Sequence, residues 1–112
     1  TFVDTTLTVT ITPQSNTSQI FVMVNQSLFV TSGDSATFRL LKGATVLQTQ
    51  LSAVFSSASN ILGNASFMFF DSPATTSATT YKTQIARASG SGSVTANINN
   101  NPANITVFEI SA

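Results

Sequence analysis

The sequence contains no cysteine, no histidine and no tryptophan, and it is poor in charge. Without cysteine there is no disulfide and no thiolate chemistry, although that absence does not locate the protein. Without histidine or cysteine the usual nucleophilic triads cannot be assembled, and a transition metal lacks its preferred ligands. Charged residues make up 7% of the chain, against roughly 25% in an average soluble domain. Arg39, Lys42, Lys82 and Arg87 balance Asp4, Asp34, Asp71 and Glu109, for a net charge of zero. Four scattered cations make no basic patch, which argues against nucleic-acid partners and against attraction to anionic lipid. The longest apolar runs, residues 20–24 and 67–70, are too short for a membrane-crossing helix, and membrane insertion is not expected. No charged-then-apolar signal segment opens the chain. A start at Thr1 rather than Met is expected of a processed product or a C-terminal piece of something longer.

Hydroxyls and amides take the place of charge. Serine and threonine supply 34 of the 112 residues and asparagine another 9. Nine phenylalanines and repeated β-branched runs exclude a disordered chain. The length suits one domain, residues 1–112, with a single core. So little net charge protects weakly against self-association and points to an oligomer. Four Asn-X-Ser/Thr triplets, at Asn16, Asn25, Asn64 and Asn104, are close to chance for so hydroxyl-rich a chain and carry no weight.

Alternation with a period of two runs through the chain and predicts strands. Leu7, Val9 and Ile11 alternate with Thr6, Thr8, Thr10 and Thr12, a half-buried strand ended by Pro13. Residues 19–31 predict a second strand, with Ile20, Val22 and Val24 on one face and Phe21 and Met23 on the other. A bulge or tight turn is expected at residues 25–27. Ser32, Gly33 and Asp34 read as a turn before a strand over residues 36–41. Lys42-Gly43-Ala44 reads as a hairpin turn leading into a strand over residues 45–51. Residues 52–64 read as a long connection with buried anchors rather than a helical turn. Phe67 and Phe69 alternate with Met68 and Phe70 until the chain stops at Asp71-Ser72-Pro73, which reads as a turn. Further strands are predicted over residues 81–88, 93–98 and 104–110, with turns at residues 89–92 and 99–102. About eight strands and no convincing helix imply an all-β antiparallel β-sandwich or jelly-roll-like fold.

Little in this pattern carries chemistry. A Ser72–Lys82 dyad would need a buried lysine, whereas Lys82 lies on a polar strand face. Four scattered acids do not make a glycosidase pair, and no loop holds two acids for calcium. Gly90 and Gly92 lack the strand-then-helix setting of a phosphate cradle. No catalytic, cofactor-binding or metal-binding residue is therefore assigned, and an enzyme is not expected. Glu109, an acid within a strand, is expected to pair with Arg39 or Arg87 of a neighbouring strand or subunit. The two-faced apolar strands are more informative. Phe21, Met23, Met68 and Phe70, with Phe108 and Glu109, are the candidate subunit interface. The alternative is a core wrapped by a long loop such as residues 52–64.

Three segments carry a family resemblance. They are residues 2–13 (Phe-Val-Asp-Thr-Thr-Leu-Thr-Val-Thr-Ile-Thr-Pro), Asp71 to Ser77 followed by Thr80-Tyr81-Lys82, and residues 105–110 (Ile-Thr-Val-Phe-Glu-Ile). In this order they resemble the C-terminal β-sandwich domain of fibre-like or appendage virion proteins of marine and cyanobacterial tailed phages. The resemblance implies a homotrimeric tip distal to a stalk, on the surface of the phage particle. It implies contact with other virion proteins and with a host cell-surface glycan or protein. It brings no catalytic residues. Exposed turns such as residues 32–34 and 99–102 would then be host-contact candidates. A capsid decoration protein is the alternative within the same class. A small carbohydrate-active enzyme or a non-catalytic carbohydrate-binding module is the alternative from another, although Tyr81 is the only tyrosine such a module could use for stacking.

Overall fold

Every regular element among the described residues is a strand, as the alternation requires. The structure, a computed structural model, describes residues 2–31, 34–55, 60–87, 93–96 and 103–111. The strands are β1 (Val3–Ile11), β2 (Gln19–Val30), β3 (Ser35–Lys42), β4 (Thr45–Phe55), β5 (Ile61–Asp71), β6 (Thr79–Arg87), β7 (Val94–Ala96) and β8 (Asn104–Ile110). They form two antiparallel sheets. The first has the order β1-β6-β3-β4. The second is centred on β2, which pairs with β5 along one edge and with β8 and β7 along the other. The pairings β3–β4, β2–β5 and β1–β6 are nested inside one another and alternate between sheets.

The inner faces share one core. Ile20, Val22, Val24 and Leu28 from β2 meet Phe38 and Leu40 from β3 and Tyr81 and Ile85 from β6. Phe38 packs edge-on against Phe67 of β5, with centroids 5.3 Å apart. Leu7, Val9 and Ile11 close the core from β1. The β3–β4 hairpin turns at Gly43, whose φ of +59° is the only positive φ in the two-residue loop and which glycine adopts without strain.

Several expectations are corrected. Residues 25–27 neither bulge nor turn: β2 keeps one register with β5 from Ile20 opposite Asp71 to Val30 opposite Ile61. The polar Gln26 fits because Thr83 Oγ1 donates to its Oε1 at 2.8 Å, so a buried amide costs little. The connection expected over residues 52–64 is mostly strand, since β4 runs to Phe55 and β5 starts at Ile61. Here β4 comes close to the second sheet, and a Cβ on Gly63 would lie 3.1 Å from Val54 Cγ2. Strict alternation would set Leu41 on the same face as Arg39, yet Leu41 is buried, beside a register shift between Leu40 and Leu41. The predicted strand over residues 93–98 is described as β7 at Val94–Ala96; Ile98 lies outside the described residues, as do the predicted turns at 89–92 and 99–102.

The abrupt end of the Phe-Met-Phe-Phe run has a physical reason. Asp71 shares the inner face with Ile20 and is buried. Tyr81 Oη donates to Asp71 Oδ2 at 2.7 Å, and Lys42 Nζ lies 3.2 Å from the same oxygen. One carboxylate thus ties the second sheet to two strands of the first. Burial, then the bond to Asp71, pushes the Tyr81 phenol well above its ordinary value.

Candidate functional site

The outer faces of the two sheets differ in chemistry, although the first sheet also exposes Val46 and Leu51 of β4. The outer face of the first sheet satisfies itself. Gln84 Oε1 accepts from Arg39 Nε at 2.9 Å and from Nη2 at 2.7 Å, while Gln84 Nε2 donates to Asp4 Oδ1 at 2.8 Å. Lys82 Nζ lies 3.2 Å from Asp4 Oδ1, and the Arg39 guanidinium sits 3.6 Å above the Phe2 ring. The Thr10 and Thr80 hydroxyls bond across β1 and β6 at 2.8 Å. The bonds from Gln84 and then Lys82 hold the Asp4 carboxyl below the usual carboxylate range.

The outer face of the second sheet is apolar at both ends, with Phe29 opposite the exposed Leu62 at one and a larger cluster at the other. Register sets Phe70, Phe21 and Phe108 side by side across β5, β2 and β8. Phe21 stacks on Phe70 at 4.6 Å between centroids, and on Phe108 at 6.4 Å. Met23 and Met68 pair in the next outward-facing row. These side chains are open: Met68 is 63% exposed, Phe70 59%, Phe108 51%, Ile110 41% and Met23 40%. At about 200 Å² per side chain, roughly 500 Å² of apolar surface is continuous here, near the top of the range that monomers expose. Asn25, Ser66 and Asn104 form the next row and border the patch with amide and hydroxyl groups. A cleft of about 390 Å³ runs between Met23, Met68 and this polar row.

Five of the six interface candidates therefore lie together: Phe21, Met23, Met68, Phe70 and Phe108. Ile110 joins them, and its spacing of two from Phe108 was the available signal. Glu109 is placed elsewhere. It shares the inner face with Ile20, and its Oε2 accepts from the Gln14 backbone amide at 2.7 Å. The Ser18 hydroxyl beside it and the Gln14 amide hold its carboxyl below the usual range. Within the chain it anchors the β1–β2 loop, while Arg39 bonds Gln84 and Arg87 Nε faces Asp34 Oδ2 at 3.5 Å.

The other candidates are dispersed. Lys82, imagined with Ser72, pairs with Asp4. Asp4, Asp34, Asp71 and Glu109 each have different neighbours. Among the described residues no three His, Cys, Asp or Glu come together as a metal site. Asp34, from the first turn expected as a host-contact candidate, is buried and accepts from the Ser35 amide at 2.8 Å; residues 32–33 and the second such turn lie outside the described residues. Comparison with protein-family models, curated proteins and solved structures found no match.

Proposed function

We propose that this chain is a virion structural domain, the distal head of a phage tail fibre or spike, which assembles as a homotrimer and contacts the host surface. The observation that carries the reading is the apolar patch of Phe21, Phe70, Phe108, Met23 and Met68, gathered by register into two adjacent rows of one sheet face. A patch of roughly 500 Å² with a polar border is a large share of the ~800 Å² that each partner contributes to a standard interface. The nested pairing β3–β4 within β2–β5 within β1–β6 supports a jelly-roll-like wrap of the kind that the family resemblance implies. In the trimer the second sheet faces the shared axis, and the first sheet, with its satisfied polar ladder, faces outward.

The ring geometry weighs against a carbohydrate-binding module built on this patch. Phe70, Phe21 and Phe108 stack face to face along the sheet. Phe21 and Phe70 turn faces to one another at 4.6 Å, whereas a stacking platform for sugars turns its faces to solvent. The only tyrosine, Tyr81, is fully buried.

Light scattering on the purified domain tests the assembly. The expected mass is three times the 11.7 kDa of one chain; a single-chain mass at micromolar concentration overturns it. Fluorescently labelled domain should bind host cells, and staining of intact virions instead would move the reading to capsid decoration.

A further inference from the structure

A second surface feature lies on the opposite sheet, at the irregularity in β1. We infer that the cavity at this bulge is a binding site for one neutral sugar ring, held through its hydroxyls. The inference rests on the host-attachment reading for its biological setting, since in that assembly the first sheet faces outward and displays the cavity.

The geometry is specific. Pairing of β1 with β6 jumps from Asp4 opposite Gln84 to Thr8 opposite Lys82, so residues 5–7 stand against Thr83 alone. Thr6 lies at φ 71°, a left-handed conformation that a β-branched residue rarely adopts. Buried bonds hold it there. Thr5 turns inward and its hydroxyl bonds that of Thr83, which in turn donates to Gln26 in the core. Strain maintained by surrounding structure in this way is found mostly at functional sites.

The bulge leaves a cavity of about 160 Å³ lined by Asp4, Thr6, Leu7, Thr8, Lys82 and Thr83. Its volume suits a ligand group the size of one small ring. The Asp4 carboxylate and the Lys82 ammonium neutralise one another there, so the site carries no net charge and favours a neutral ligand over an ion. An ionised acceptor and a charged donor 3.2 Å apart match adjacent hydroxyls, one donating to Asp4 and its neighbour accepting from Lys82. Thr8 Oγ1 donates to the Tyr81 carbonyl at 3.2 Å, which leaves the oxygen itself as a further acceptor.

The test is an amide-resolved NMR titration of the domain with glucose, galactose and N-acetylglucosamine in turn. The expected result is saturable shifts for at least one sugar, centred on Thr6, Leu7, Thr8, Lys82 and Thr83. Lys82→Met and Asp4→Asn should each weaken binding by about tenfold or more through loss of a charge-assisted bond, with the remaining amide spectrum unchanged. If Asp4→Asn does not fold, Lys82→Met decides. Absence of saturable shifts with all three sugars overturns the inference, as does wild-type affinity in the variants. Host-cell adhesion separates the two readings. Equal adhesion by wild type and variants overturns the sugar site and leaves attachment standing, whereas sugar binding without adhesion supports the site and removes attachment.

Discussion

Replacing Phe70 with lysine should separate assembly from folding. Phe70 is 59% exposed in the single chain, which at about 200 Å² for the side chain is roughly 120 Å² open to solvent. Covering that area in an assembly is worth about 3 kcal/mol per copy at ~25 cal/mol per Å². Losing it should raise the dissociation constant of each contact by about two orders of magnitude. Three like charges brought together near an axis would weaken assembly further. Folding of the single chain depends much less on this ring. It loses the stack on Phe21, worth about 0.5–1.5 kcal/mol, and the lysine methylenes re-cover part of the strand. Sedimentation across a dilution series, combined with urea unfolding of the dissociated chain, measures both quantities. The expected outcome is a single-chain mass at concentrations where the wild type is associated, with a nearly unchanged unfolding midpoint. Thr10→Lys, on the polar outer face of the first sheet, should leave the mass unaltered. Wild-type association by the Phe70 variant would refute the interface, and outright unfolding would show that the ring belongs to the fold.

Three further outcomes follow from the inner contacts. Asp71→Ala strands the Tyr81 hydroxyl and the Lys42 ammonium, and should cost about 3 kcal/mol in urea unfolding; a loss within experimental error would show that the bridge between sheets is dispensable. Tyr81 is the sole tyrosine and its phenol is raised above its ordinary 10.0. The folded state therefore holds the proton more tightly, so stability is level below pH 10 and falls as pH rises beyond it. Phenolate absorbance should appear only together with loss of the strand circular-dichroism signal, and free titration near pH 10 with that signal intact would contradict the burial. Glu109 has the opposite sign: its carboxyl lies below the ordinary 4.5, so its contribution is present above that pH and is lost as pH falls through the lower folded value. Glu109→Gln should flatten this acid limb and speed hydrogen exchange at the Gln14 amide, and an unaltered limb would dissociate Glu109 from the loop.

Much of the strand content was legible because a strand repeats every two residues. Leu7, Val9 and Ile11 had to share a face, as did Phe21 with Met23 and Met68 with Phe70, whatever the strands paired with. The extent of β4 and β5 was not legible. Serine and asparagine over residues 52–64 suggest a connection, yet neighbouring strands supply backbone partners that override local preference. Gln26 gave the same false signal, since its polarity resembles an interruption until the Thr83 hydroxyl that satisfies it is known.

By itself the sequence determined that this is an all-β chain with apolar side chains on both faces of two strands, because alternation depends only on local backbone geometry. Tertiary structure alone decided which of those faces became core and which remained open, because that depends on the partner of each strand. It set β5 and β8 on the two sides of β2, and so gathered Phe70, Phe21 and Phe108 into one patch. It turned Asp71 and Glu109 inward, and it folded the β1 bulge around a cavity. Those placements depend on pairings between residues as much as 95 positions apart, such as Gln14 and Glu109, and no local pattern encodes such pairings.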